Sequence, residues 1–198
     1  LTKDEFQEYA ELINKQSQKT LKLLESLLEW GKIHMDNIQF NPQVINLNKN
    51  VNEIILLCRD NYKQKNIEIN NSISNDINVF VDKTILNTII RNLLSNAIKF
   101  TSRDGEIHIS VEKFDKNNVL IIVKDNGIGM DNELTENLFN FQNNTNRKGT
   151  DGETTIGLGL IIVKELIEKQ GGELMIESEL NKGSAFKFTV RQSNKNAK

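Results

Sequence analysis

The apolar positions change period several times along the chain, and each change marks an element. From about Lys3 to Asn37, Phe6, Tyr9, Ala10, Ile13, Leu21, Leu24, Leu27, Leu28 and Ile33 recur at helical spacing between charged faces. Asp4 and Glu5 stand in the first turn, where the helix dipole favours acids. This predicts one helix of roughly 50 Å, whose stripe needs a partner in a bundle or coiled coil. Phe40-Asn41-Pro42, with the chain's only proline, ends it. Residues 40–47 read as a connector with a short extended piece at Val44-Ile45.

A second helical pattern runs from about Leu47 to Asn66, with Val51, Ile54, Ile55 and Cys58 on one face. Short β patterns follow at Ile67–Ile69 and Asn78–Val81. Asp82 then stands as an N-cap for a helix carrying Ile85, Leu86, Ile89, Ile90, Leu93, Leu94 and Ala97 and ending near Thr101. Strands are expected over Glu106–Phe114 and Val119–Lys124, joined by Asp115-Lys116-Asn117-Asn118. A short helix is expected from Met130 to Phe139. Residues 140–155 are polar and aperiodic, a length that marks functional or disordered loops. A helix from Gly157 to Gln170 stops at Gly171-Gly172, and strands Glu173–Glu179 and Ser184–Arg191 close the chain. This order predicts an α+β fold: a two-layer α/β sandwich, its mixed and mostly antiparallel sheet under helices, preceded by one long amphipathic helix. The domains expected are 1–39, the helix; 40–47, the connector; and 48–198, the sandwich.

Composition narrows the class. The 198 residues hold 37% hydrophobic and 26% charged side chains and a net charge of −2, as expected for a globular chain without a basic surface for nucleic acid. No run is long and apolar enough for a membrane span. The single cysteine, Cys58, suits a reducing compartment and reads as a buried small hydrophobe. His34 and His108 read as structural, with no carboxylate placed to orient His34. Because the chain opens in a charged helical pattern without Met, it reads as a piece of a longer protein.

Three stretches carry candidate chemistry. Val119–Val123 reads as a buried strand that delivers Asp125 into Asp125-Asn126-Gly127-Ile128-Gly129-Met130. A carboxylate there can accept from a ligand amine while glycines permit close backbone approach, although Asp-Asn-Gly is also an ordinary turn signal. Asn92 and Asn96 share a helical face, with Lys99 one turn on. Amide oxygens and an ammonium suit Mg²⁺ and phosphate, although paired asparagines also make a plain polar face. Gly157-Leu158-Gly159-Leu160 opens a helix, and helix N-termini bind anions, although such a glycine pair also serves helix–strand packing.

Read together, these stretches resemble the ATP-binding domain of the GHKL superfamily, the Bergerat fold. The wording Arg91-Asn92-Leu93-Leu94-Ser95-Asn96-Ala97-Ile98-Lys99-Phe100-Thr101 is specifically similar to sensor histidine kinases, as are Asp125–Met130, Gly157–Leu160 and the ending Asn181–Phe186. The resemblance spans roughly residues 48–190. It implies that Asp125 accepts from the adenine amine, that Gly127 and Gly129 let the chain pass the base, and that Asn96 ligates Mg²⁺. Asn92, Lys99, Gly157, Leu158, Gly159 and Leu160 are then expected at the phosphates. Phe139 and Phe141 resemble the aromatic box flanking the family's lid, and Arg147 and Lys148 are candidate lid cations.

Leu23–Trp30 resembles the second helix of the family's dimerisation hairpin. The first helix, which bears the phosphate-accepting histidine, is not in this sequence, and His34 lacks that motif, so self-phosphorylation is not expected. The implied function is the catalytic part of a two-component sensor kinase that uses Mg·ATP. The implied partners are the histidine-bearing helix of the parent kinase, a response-regulator receiver domain and a second copy through the long helix. The implied location is cytoplasmic, within a membrane-bound or free sensor. The alternatives are a GHKL ATPase and a nucleotide-binding interaction module. In the gyrase and mismatch-repair ATPases an acid stands four residues before the magnesium-binding Asn. Here that position is Asn92, which cannot act as a base. Departures from the family wording are Thr155-Ile156 in place of Gly-Thr and Thr88 in place of a frequent Gln.

Overall fold

The computed structural model describes residues 2–34, 40–140, 148–153 and 157–193. The chain divides into two units, residues 1–38 and 39–198. In the first unit, α1 (Lys3–His34) is a single 32-residue helix. Its start is a reciprocal cap: the Thr2 amide donates to Glu5 Oε2 at 2.7 Å, and the Glu5 amide donates to Thr2 Oγ1 at 3.3 Å. Phe6, Tyr9, Leu12, Ile13, Leu21, Leu24 and Leu28 are all exposed along it.

The second unit runs β1 (Pro42–Asn46), α2 (Leu47–Leu57), α3 (Arg59–Gln64), β2 (Glu68–Asn71), β3 (Asn78–Asp82) and α4 (Lys83–Phe100). It continues through β4 (Glu106–Lys113), β5 (Asn118–Asp125), α5 (Asn132–Asn137), α6 (Leu158–Lys169), β6 (Leu174–Glu179) and β7 (Gly183–Arg191). The main sheet has the order β2-β4-β5-β7-β6, and β1 and β3 form a separate two-stranded sheet. Among the main-sheet pairs only β2–β4 is parallel, in keeping with the mixed, mostly antiparallel expectation.

The core lies between this sheet and the helices. Ile121 of β5 pairs with Phe188, and Val123 pairs with both Phe186 and Ile109. These side chains are buried, as are Leu86, Ile89, Ile90, Leu93 and Leu94 of α4 and Ile162, Val163, Leu166 and Ile167 of α6. Side chains alternate along a strand, so Asp125 emerges on the face of Ile121 and Val123.

Asp82 caps α4 as expected, accepting from the Thr84 and Ile85 amides at 2.8 and 3.2 Å. Its second oxygen accepts from the Asn41 amide at 3.0 Å. Two local expectations change. Residues 42–46, read as a connector, form β1 and pair along their whole length with β3, because Ile45 is buried beside Val79 and Val81. The helix expected over 47–66 breaks at Cys58, which ends α2 with φ −90° and ψ 5° and precedes α3. Cys58 is buried, and its burial pushes the thiol up against an opposing effect of Arg91. No described helix is long and apolar enough to cross a membrane.

Candidate nucleotide site

The acidic turn is fixed by the chain around it. Asp125 is 5% exposed, and its Oδ1 accepts from the Gly127 amide at 2.9 Å and the Ser184 amide at 3.3 Å. Burial pushes its carboxyl above the usual range, against the opposing hydrogen bonds from those two amides. Among the described residues both bonds fall on Oδ1, so Oδ2 is the oxygen placed to take a donor from a ligand.

Gly127 and Gly129 are required by the protein's own backbone. A Cβ at 127 would stand 2.2 Å from the Phe100 carbonyl oxygen, which accepts from the Ile128 amide at 3.0 Å. Gly129 has φ +57°, and a Cβ there would stand 1.9 Å from the Glu179 carbonyl oxygen. Gly183 on the last hairpin presses equally closely on the Asp125 carbonyl, with a Cβ distance of 2.0 Å. The turn is therefore clamped between the end of α4 and the β6–β7 hairpin. Ser184, quoted in the sequence only as part of that hairpin, is the second holder of Asp125, and no local signal marks it for that task.

The opposite pole lies where α4 meets α6. Asn92 is half-buried, and its Nδ2 donates to the Thr88 carbonyl at 2.9 Å. This fixes the amide so that a Cβ on Gly159 would meet its Oδ1 at 2.8 Å. Gly157 adopts φ 79° as the N-cap of α6 and, as a glycine, brings no capping side chain of its own. Its first-turn amides and dipole make this end suited to an anion. Leu158 is buried at 4% exposure and anchors the turn, and Leu160 is half-buried beside it.

α4 joins the two poles. Asn92 faces α6 at one end, and Phe100 supports the Asp125 turn eight residues on, about 12 Å along the axis. Asn96 and Lys99, both half-buried, lie between them.

Phe139 is half-buried near the end of α5, with the Lys164 ammonium 5.0 Å from its ring centroid. This contact ties the segment that follows α5 to α6. Lys148 is exposed. Phe141 and Arg147 lie outside the described residues. No group of three or more His, Cys, Asp or Glu able to hold a metal occurs among the described residues. The amide oxygens of Asn92 and Asn96 are of the chemical kind that suits a cation held together with phosphates, such as Mg²⁺.

A family model described as histidine kinase-, DNA gyrase B- and HSP90-like ATPase matches residues 81–194. The chain belongs to this ATPase family. Its ATP-binding fold is accordingly the one the sequence suggested, with both poles of the site inside the matched region. The adaptive-response sensory kinase SasA of Prochlorococcus marinus (strain MIT 9215) is 32% identical over 91% of this chain and 48% of its own length. The autoinducer 2 sensor kinase/phosphatase LuxQ of Vibrio vulnificus (strain CMCP6) is 34% identical over 86% of the chain and 20% of its own. The chain thus spans at most about half the length of these relatives. Among solved structures, the nucleotide-free catalytic domain of histidine kinase ThkA superposes with a TM-score of 0.65 at 27% identity, covering 77% of this chain and 96% of that one.

Proposed function

We propose that this chain is the ATP-binding portion of a two-component sensor histidine kinase. It transfers the γ-phosphoryl group of Mg·ATP to a histidine outside these residues, for relay to a response-regulator aspartate. What supports transfer is Asn92: this amide lies four residues before Asn96, the position at which, by the resemblance, the gyrase and mismatch-repair ATPases have an acid. An amide does not activate water, so transfer depends on positioning and on charge stabilisation. An acceptor imidazole nitrogen forms the N–P bond as the bond from the γ-phosphorus to the β,γ-bridging oxygen breaks. The electron pair leaves on ADP, and the imidazole proton goes to solvent.

Asp125 orients the base through its Oδ2, and the clamped turn keeps that oxygen still. Asn92, Lys99 and the α6 N-terminus, with Gly157, Leu158, Gly159 and Leu160, are the proposed phosphate contacts. Arg147 and Lys148 are proposed to join them, and Phe139 and Phe141 to flank them. Asn96 would hold Mg²⁺, which neutralises charge on the phosphates. The exposed apolar stripe of α1 supports pairing with a histidine-bearing helix and with a second copy. In this reading residues 1–39 are the second helix of a dimerisation hairpin, 40–47 connect it to the catalytic domain, and 48–198 are that domain. The location proposed is the cytoplasm.

The test mixes the chain with a separately made helical hairpin bearing an acceptor histidine, together with ATP labelled at the γ-phosphate. Label on the hairpin that is acid-labile and base-stable is expected. Rapid release of inorganic phosphate with no labelled hairpin would instead assign the chain to the hydrolytic branch.

A further inference from the structure

Lys65 is a lysine where lysine is seldom found. It follows α3, its side chain is only 4% exposed, and its Nζ faces five oxygens. Three are carbonyls at the C-terminal end of α4: Ile98 at 3.1 Å, Lys99 at 3.0 Å and Thr101 at 3.4 Å. The other two belong to a distant stretch of chain, Thr150 Oγ1 at 2.7 Å and Glu153 Oε1 at 2.7 Å. An ammonium in this place offsets the negative end of the α4 dipole and leaves the last-turn carbonyls with a donor.

The second stretch is a tight turn. The Gly149 amide donates to the Glu153 carbonyl at 2.7 Å, and the Asp151 amide to Glu153 Oε2 at 2.9 Å. The Thr150 amide donates to the Lys99 carbonyl at 3.0 Å, and its hydroxyl to the Thr101 carbonyl at 2.8 Å. Burial alone pushes the Glu153 carboxyl up, but the hydrogen bond from Lys65, the neighbouring amides and the Lys65 charge outweigh it and hold it below its usual range. The turn presses on Lys99 itself: a Cβ at Gly149 would stand 2.5 Å from Lys99 Cγ. A salt bridge from Arg103 to Asp151 at 2.8 Å is a second anchor, but Arg103 is 63% exposed, so it holds weakly.

We propose that Lys65 is a positioning residue for the triphosphate: it clasps Thr150 and Glu153 onto the end of α4, so that the turn 149–153 fixes the Lys99 side chain toward the phosphates. Lys65 touches no ligand and acts through Glu153, Thr150 and Gly149. The inference rests on the nucleotide reading of the site. It predicts a split between ligands, since adenosine reaches the Asp125 turn without needing Lys99, whereas the triphosphate needs both.

The experiment measures binding of Mg·AMPPNP and of adenosine to the wild-type chain, Lys65→Met, Glu153→Gln and the double variant, with thermal melting of each. The expected result is a loss of about tenfold or more in Mg·AMPPNP affinity for each single variant, no further loss in the double variant, and adenosine affinity within about twofold of wild type. Glu153→Gln keeps the side-chain shape and reads the clasp even where Lys65→Met does not fold. Unchanged Mg·AMPPNP affinity in folded Glu153→Gln overturns the proposal, as does an equal loss for both ligands, which is the mark of a general weakening of the fold. A wild-type chain that binds neither ligand overturns the nucleotide reading itself and the clasp with it.

Discussion

Asn92 and Gly159 meet across the α4–α6 contact so closely that a single added methyl at 159 would lie 2.8 Å from Asn92 Oδ1. The atom in the way is the end of a side chain, so the fold can yield by turning Asn92 aside, and the group that yields is a proposed phosphate contact. Gly159→Ala is therefore expected to cost little stability, because alanine also recovers up to about 1 kcal/mol of helix propensity. Its Mg·ATP affinity is expected to fall by about tenfold, the equivalent of one lost hydrogen bond. Thermal melting and nucleotide titration of the same variant separate the two effects. A large drop in melting temperature with unchanged affinity would refute the assignment of Asn92.

Gly129→Ala is expected to behave in the opposite way. Its φ of +57° costs a side chain about 1–2 kcal/mol, and the obstacle is the Glu179 backbone carbonyl at 1.9 Å, which cannot rotate out of the way. A melting temperature lowered by several degrees is expected before any ligand is added, and differential scanning calorimetry measures it.

Asp125→Asn removes a charged acceptor whose hydrogen bonds are worth about 1.5–3 kcal/mol, so ATP affinity is expected to drop by at least about tenfold. Isothermal titration with ATP is the check, and an affinity equal to wild type sinks the adenine assignment. The pH dependence adds a signature. Burial raises the folded-state pKa of Asp125 above its ordinary 3.8. The folded protein therefore takes up that proton before the unfolded one does, and this contribution favours folding as pH falls through the folded pKa. Any stability that Asp125→Asn gains at neutral pH is expected to shrink as pH approaches 3.8, as chemical denaturation at several pH values can follow.

Glu153 carries the opposite sign. Its folded-state pKa lies below the ordinary 4.5, so its contribution to stability is present above 4.5 and is lost as pH falls below it through the folded pKa. Glu153→Gln is expected to flatten that part of the acid limb. Denaturant midpoints measured through the acid range give the slope, and an unchanged slope would remove Glu153 as its source.

Asn96→Asp is expected to impair magnesium-dependent transfer to a supplied histidine-bearing hairpin. A carboxylate beside the phosphates adds like-charge repulsion where a neutral oxygen serves. Initial rates across a range of magnesium concentrations check this, and an undiminished rate counts against Asn96 as the ligand.

Short-range physics made much of this protein legible from sequence. The unbroken apolar run of β5 announced a buried strand, and the alternation of side chains along it puts Asp125 on the core face. The spacing of Asn92 and Asn96, the Asp82 cap and the glycines at 157 and 171 are properties of one helix each, and the structure keeps them as read. The pairing of β1 with β3, the parallel entry of β2 beside β4 and the break at Cys58 were not legible, because partner and register are chosen by burial between residues far apart in the chain. The structure adds a reason for Gly127 and Gly129: the backbone of Phe100 and Glu179 fills the space a side chain would need. Lys65 is the sharpest case. In Lys63-Gln64-Lys65-Asn66 it looks like any solvated helix end. Only the fold brings it to the carbonyls of α4 and to a turn some 85 residues onward, where burial removes water and leaves five protein oxygens to replace it.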